Sequence, residues 1–513
     1  MDLAKAPSLQ QLRRDAKALK KAHARGDAAA RERVATLAAR RDGAEPKHAD
    51  FLHVVAREAG FESWPRLKLA AETVGMDFAA KRQRLKIALY HGQGWVAEQL
   101  LAETPDLAAG DFGLLCALYD ADAVTRALAG DPTLAVTPVG PRRPILHLAF
   151  SRWLQTRPEL EPEMIAVAEA LVAAGADVND GFAPEPGTDH TLSALYGAVG
   201  HAGNMPLARW LLTHGADPND GESLYHATEL GHHEGLRLLL RHGADPAGTN
   251  VLLRAMDFHD HTAVRLLLEA GAQADDFNDA EVGGERPWVV PALHQAARRM
   301  SDAEMIALLL DGGADPDRRF EGCTAYGHAR VFGNAALARA LEARGPVPPL
   351  TEDEALLATA ADGDTPPPGR YVDPARLPAG YRDILRTILH LPGRLDHIRR
   401  LVALGIEYDR PDAEGLTPVQ VAGWEGLPEV MAYFLSQKPD LSHVNGYGGT
   451  LLSTIIHGSE NCPARADRDH LGCARLALEE GLALHRHDLR LAGDEAMAAF
   501  LADWAERHPG QVV

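Results

Sequence analysis

Leucine and alanine recur at three- and four-residue spacing through most of this chain, in short blocks broken by glycine. Leu9, Leu12, Ala16 and Leu19 form one such stripe, which predicts an amphipathic helix with Ser8 as its N-cap. Further along, one block repeats almost word for word. It reads "LVAAGADVND" from Leu171, "LLTHGADPND" from Leu211, "LLLRHGADP" from Leu238, "LLEAGAQADD" from Leu267 and "LLDGGADPDR" from Leu309. Its glycines, at 175, 215, 243, 271 and 313, lie 40, 28, 28 and 42 residues apart, and Gly345 and Gly405 extend the series. Each block ends an apolar helix on glycine, which suits a left-handed C-cap. Asp-Pro or Asp-Val then starts an extended segment that cannot continue the helix.

A second block precedes each of these. It is a short helix of the kind seen in "ILHLAF", "LYHATE" and "LHQAAR", joined to the leucine helix through turns such as "GHHEG" (231–235) or "GNAAL" (333–337). Self-similarity at this period predicts stacked helix pairs that bury their apolar faces only against neighbours. Within "ELGHHEGLRLLLRHGADP" (229–246) it also separates three clustered histidines. His232 falls in the turn and satisfies backbone, His233 starts the second helix, and His242 sits before the closing glycine.

These residues resemble ankyrin repeats. "DAEGLTPVQVAGWEGLPEVMAYFL" (412–435) and "ALHQAARR" (292–299) are similar to the T-P-L-H-x-A signature, and "GAD" to its close. The resemblance is strong over 142–345 and 411–440 and weaker over 81–140, 350–410 and 446–490. It implies an all-α solenoid of roughly ten helix-turn-helix units with short turn fingers and helical caps at both ends. The longer units carry inserts, "FAPEPGTDH" (182–190) and "FNDAEVGGERPW" (277–288). The family histidine, which bonds backbone between repeats, survives as His147 and His294. Tyr196, Tyr225, Leu253, Gly327 or Gln420 stands there elsewhere, so the array is irregular. A Pro/Gly-rich stretch (362–383) is either a loop across the array or a boundary between two stacks. The expected divisions are a helical cap over 1–80, a first stack over 81–349, a degenerate repeat with the insert over 350–383, a second stack over 384–490 and a C-terminal cap helix in 491–513.

Charge changes the picture at one end. The net charge is −20, yet residues 1–90 carry 19 Lys and Arg against 11 Asp and Glu. The acidic remainder repels phosphate, so nucleic-acid binding would have to lie in the head. There "GFESWPRLK" (60–68) resembles a segment found ahead of ankyrin arrays in some bacterial proteins. It also reads as a helix-turn-helix, with Ser63 as N-cap, Pro65 in the first turn, and Arg66 and Lys68 offered to DNA. As a cap, it would instead bury Phe61, Trp64 and Leu67 against the first repeat. The four cysteines, 116, 323, 462 and 473, make no C-x-x-C pair and are expected reduced. With no apolar leader and no apolar run of about 18 residues, the chain is expected in the cytoplasm with no membrane partner.

The resemblance implies a partner-binding concave face built from residues that follow the first helix of each unit. Carried over position by position, these are Arg152, His201, Glu229 with Leu230, Asp257 with Phe258, Arg298 with Arg299, Phe332, and Trp424 with Glu425. Acidic rungs at the centre, arginines beside them and aromatics at one end suit a peptide or protein partner. The expected function is non-catalytic recognition of a protein or peptide.

Two rival classes remain. An enzyme or a small-molecule or metal receptor would place its site in the same groove, with 362–383 as a lid. His201, His226 and His232 in adjoining units, or Asp257 and His261 at helical spacing, would supply a metal site. No H-E-x-x-H or paired C-x-x-C spacing supports it, and no cofactor is expected. His259 and Asp260 fill turn slots, which predicts a helix break before His261. A thiol nucleophile at Cys462 would need His457 or His470 as its base, and no catalytic residue is assigned.

Overall fold

The computed structural model describes residues 9–37, 46, 48–73, 75–184, 187, 190–278 and 290–513. Ser8 and most of the 277–288 insert lie outside them. The described residues form an all-α protein of stacked helix pairs, with only two two-stranded β-hairpins. The chain divides into two compact units. One comprises Met1–Arg254 with Glu269–Ala272 and Asn278–Trp288; the other comprises Ala255–Leu268, Gln273–Phe277 and Val289–Val513.

The first unit opens with four helices, Leu9–Ala24, Ala28–Leu37, His48–Glu58 and Trp64–Thr73. Leu12, Ala16 and Leu19 are buried as the stripe predicts. Gly26, left-handed at φ +85°, ends the first helix, and Asp27 caps the second through the Ala30 amide. Trp64 and Leu67 bury in this bundle's own core, beside Phe51 and Val55. That corrects the expectation that they pack against the first repeat: four helices already enclose a complete apolar centre.

Helix pairs follow. Phe112–Ala117, Pro144–Ala149, Ala194–Tyr196 and Ser223–His226 pack in sequence as a first-helix layer. Ala121–Gly130, Glu161–Ala173, Met205–Thr213 and Glu234–Arg241 pack likewise as a second layer. The helices are short because each is capped early. Asp111, Asp120 and Asn204 each accept an amide from the first turn, a contribution of about 1 kcal/mol per cap. Ala194–Tyr196 runs into a π-helical turn, Gly197–His201. Gly181 and Phe182 pair with Ser193 and Leu192 in a small antiparallel finger.

The second unit repeats the scheme. Ala292–Arg298, Ala325–Phe332 and Glu352–Asp362 stack in order, as do Pro418–Trp424 and Leu451–Asn461. Ala303–Asp311 packs on Ala335–Arg344, and Pro428–Ser436 on His470–Glu479, which in turn meets Glu495–Arg507. Asp494 caps that last helix, and Met497, Leu501 and Trp504 are buried by it. The Pro/Gly-rich stretch is tied into this core. Val372, Leu377 and Tyr381 are buried with Leu357 and Leu385, and Tyr381 donates to Glu354 at 2.7 Å.

The closing glycines behave as their spacing predicts. Gly175, 215, 243, 271, 313 and 405 all have φ between +89° and +106°. In the first unit a side chain four residues past one closing glycine stitches the carbonyl of the next and the finger beyond it. Asn179 donates to the Gly215 carbonyl and accepts from the Asp217 amide; Asn219 does the same with Gly243 and Asp245. In the second unit Asp275 and Asp409 accept from the amides of Asp315 and Asp440. Lys438, at φ +60°, takes the left-handed position where no glycine is available.

Candidate functional site

In the first unit, aromatic and charged side chains line up along the first-helix layer. Arg152 does not point free: its Nε donates to the His201 carbonyl at 2.9 Å, at the C-terminal end of the π-helical turn. His201 in turn bonds the Tyr90 carbonyl through Nε2 at 2.9 Å and lies against the Tyr90 ring, centroids 4.1 Å apart. Burial, then the neighbouring Arg152 charge, pushes its pKa down to about 4, so it is a neutral imidazole at pH 7. Gly200 is required here, since a Cβ would come within 2.7–2.8 Å of Tyr196 and His226.

His226 is the opposite case. Its ring sits between two carboxylates, Nε2 3.1 Å from Glu222 and Nδ1 3.0 Å from Glu229. Burial disfavours its charge, but the two carboxylates outweigh that and raise the pKa to about 9. Glu229 also takes Arg254 at 2.7 Å, and His226 with Arg254 holds its pKa low against burial. Leu230 is partly buried and folds toward Gly235 of its own unit. Glu222, His226 and Glu229 follow i, i+4, i+7 spacing, which places all three on one helical face. That signal was available in the sequence; the charge state of His226 was not.

A cleft of about 280 Å³ opens nearby, lined by Lys86, Tyr90, Arg142, His147, Phe150 and Ser151 among others. The Arg142 guanidinium lies over Tyr90, Phe150 and Phe182 at 4.8, 4.8 and 4.2 Å, a threefold cation–π contact. Its Nε is buried and finds no hydrogen-bond partner.

In the second unit Asp257 accepts from Gln295 at 2.5 Å and from Arg299 at 2.8 Å. Phe258 is exposed. Burial, and then Arg299, pushes Arg298 down to about 10. Trp424 is partly buried beside His457, and its carbonyl receives His470 Nε2 at 2.8 Å. Glu425 lies 3.8 Å from Arg468, and burial raises its pKa. Phe332 corrects the expectation for its position. It is 1% exposed, stacked on His328 with centroids 5.1 Å apart, so it belongs to the core and has no face to offer a partner. The following helix and the Tyr381 segment cover the face of Ala325–Phe332 that was expected to be open.

The rival ligand sets do not converge. His201 and His226 hold the partners described, and His232 Nδ1 accepts the Glu234 amide, the backbone role expected of it. The helix bearing Asp257 ends there; His259 is left-handed at φ +51°, and His261 starts the next helix, paired with Asp302. Among the described residues no group of three or more His, Cys, Asp or Glu is placed to hold a metal ion. The Cys462 thiol lies 3.9 Å from Glu425 and is pushed up by burial, while His457 bonds Asn461. In the head, Arg66 is paired with Glu62 at 3.1 Å. The four cysteines are free and buried, and no described helix is long and apolar enough to cross a membrane.

The family histidine does its inter-unit work at His294, whose Nε2 meets the Cys323 carbonyl at 3.3 Å. Gln420 substitutes for it, donating to the Gly449 carbonyl at 3.3 Å.

Comparison with known proteins agrees with this grammar. A family model described as three copies of ankyrin repeats matches residues 195–279, and one described as a single ankyrin repeat matches 291–319. No curated protein matches. Among solved structures the chain is similar to the human ASB11 ankyrin repeat domain, with 17% identity over 50% of this chain and 96% of that one, at a TM-score of 0.22.

Proposed function

We propose that this protein, which carries ankyrin repeats over 195–279 and 291–319, recognises a protein or peptide partner through the first-helix layer of each unit and performs no chemistry of its own. Ankyrin repeats are a protein-binding repeat class, and the observation that carries the reading is where the polar side chains fall. Glu229 and Arg254 in the first unit, and Arg298, Arg299, Trp424 and Glu425 in the second, remain partly accessible at the ends of short helices. Their neighbours are locked by backbone bonds, so the layer is pre-organised and loses little entropy on binding. Phe332, being buried, is left out of the surface.

Selection of peptides from a random displayed library against the full chain tests this. Peptides that bind the wild type are expected to lose about tenfold or more in affinity to Glu229→Lys or to Arg298→Glu combined with Trp424→Ala. Unchanged affinity for both variants would show that this layer is not the binding surface.

A further inference from the structure

We propose that the cleft beside the Val139–Arg142 turn of the first unit is a receptor site for one organic carboxylate, an acid group on a small apolar body, with Arg142 as its counter-ion. The site goes beyond the partner-recognition reading, and its test does not depend on that reading.

The turn that carries Arg142 is fixed from two sides. The Val139 amide donates to the Arg142 carbonyl at 2.8 Å, and Gly140 takes the left-handed place between them at φ +67°. His147 Nε2, on the helix Pro144–Ala149, donates to the Val139 carbonyl at 2.9 Å. The guanidinium then lies over Tyr90, Phe150 and Phe182, and the first two of these rings are themselves stacked. Arg142 is thus placed before any ligand arrives, which lowers the entropy lost on binding.

What this guanidinium lacks is an anion. Its neighbours have theirs: Lys86 pairs with Asp111 at 2.6 Å, and Arg143 with Asp180 at 2.7 Å. Among the described residues no carboxylate acts on Arg142. Burial disfavours its charge, and only the Tyr90 hydroxyl, itself uncharged at pH 7, favours it. Its field reaches His147 and His201 and disfavours protonation of both. Ring contact engages the charge but satisfies none of the N–H donors. A carboxylate supplies both what is missing in charge and what is missing in acceptors, and it fits a guanidinium fork in geometry.

The cleft selects what carries the acid. Its walls include Leu89, Leu114, Val139 and Pro141, and its volume of about 280 Å³ is near the lower end for small-ligand sites, about 300 Å³. Lys86 also lines it but is already neutralised by Asp111, so the site offers one uncompensated positive charge. That matches a monocarboxylate. A phosphoryl dianion would bring a second negative charge toward Asp111 with no cation left to take it.

Calorimetric titration of the full chain at pH 7 and low ionic strength tests this with phenylacetate, and with its uncharged amide as the measure of apolar contact alone. Saturable binding of the acid is expected, at least about tenfold tighter than that of the amide. Arg142→Gln should weaken it about tenfold or more, and Arg142→Lys, which keeps the charge, by less. Gln83 lines the cleft from an exposed position on the helix Phe78–Tyr90. Gln83→Glu should therefore weaken binding about threefold, and Gln83→Lys strengthen it by about the same factor. The exposed Arg126→Gln should leave it unchanged. Far-UV circular dichroism confirms that each variant is folded, and the two Gln83 changes decide if Arg142→Gln is not. Displacement of library-selected peptides by phenylacetate assigns the carboxylate to a partner, and binding without displacement assigns it to a free acid. Equal affinity for acid and amide, or no saturable binding of the acid up to roughly 20 mM, overturns the site. So does affinity unchanged by Arg142→Gln, or by both Gln83 changes where that variant does not fold. Selected peptides that still bind in that case leave the partner-recognition reading standing.

Discussion

Two histidines on first-layer helices, His226 in the first unit and His328 in the second, are held in opposite states. His226 is clamped between Glu222 and Glu229 and kept charged well above neutrality. His328 is 1% exposed among rings, 4.8 Å from His294 and 5.1 Å from both Phe332 and Tyr381, and burial drives its pKa far down. Similar helices at similar places thus hold an imidazolium in one unit and a neutral, apolar-like ring in the other. The difference lies in what the next segments bring. Beside His226 stand two carboxylates of its own short stretch, whereas beside His328 stand Phe332 and the Tyr381 turn, with Arg298 adding a repelling charge. Burial alone decides neither case; burial with counter-charge and burial without it give opposite signs.

The largest break in this comparison should come from His226→Leu. It removes one of the two imidazoles that face Glu222, whose side chain is 3% exposed, and leaves only His190 Nδ1 of that pair, at 3.4 Å, at an expected cost of about 3 kcal/mol. Hydrogen exchange of the helix Ser223–His226 would report it, and a loss under about 1 kcal/mol would mean that the clamp is not electrostatic.

A smaller effect should follow from pH. The pKa of His226 is raised above its unfolded value near 6.5, so its stabilisation is complete below that pH and is lost as pH rises toward about 9, up to about 2 kcal/mol after allowance for partial exposure. His294, pushed down to about 4 by burial, acts in the other direction. It is neutral in both states above 6.5, and the second unit weakens as pH falls from 6.5 toward 4. Exchange protection of the helix Ser223–His226 should therefore fall as pH rises and that of Ala292–Arg298 as pH falls; a shared direction would dissolve the contrast.

The mildest change should be His328→Leu, at about 1 kcal/mol, because a neutral ring is replaced by an apolar side chain of similar volume. Chemical denaturation measures it, and a loss above about 3 kcal/mol would mean that His328 makes a polar contribution that its surroundings do not account for.

Several features could be read directly along the chain. The closing glycines, the capping Asp and Asn residues and the break at His259 are set by backbone geometry within a few residues, so local pattern suffices. The stitch by Asn179 and Asn219 was legible too, as Asn or Asp four residues past Gly175, Gly215, Gly271, Gly313 and Gly405, with Ala247 after Gly243 as the exception. Its partners are not legible locally, because they lie 36–38 residues on for Asn179 and 24–26 for Asn219. The burial of Phe332 is hidden from the local pattern for the same kind of reason. Its place in the repeat says surface, and only the return of Tyr381 from the Pro/Gly-rich stretch buries it.

By itself, then, the sequence determined that this is an all-α stack of helix pairs, where each pair turns, and which residues stand at the helix ends. Those properties follow from short-range sterics and periodicity. Only the tertiary structure decided which of those residues are accessible and which imidazoles carry charge. Those properties depend on desolvation and Coulomb fields summed over segments far apart in the chain.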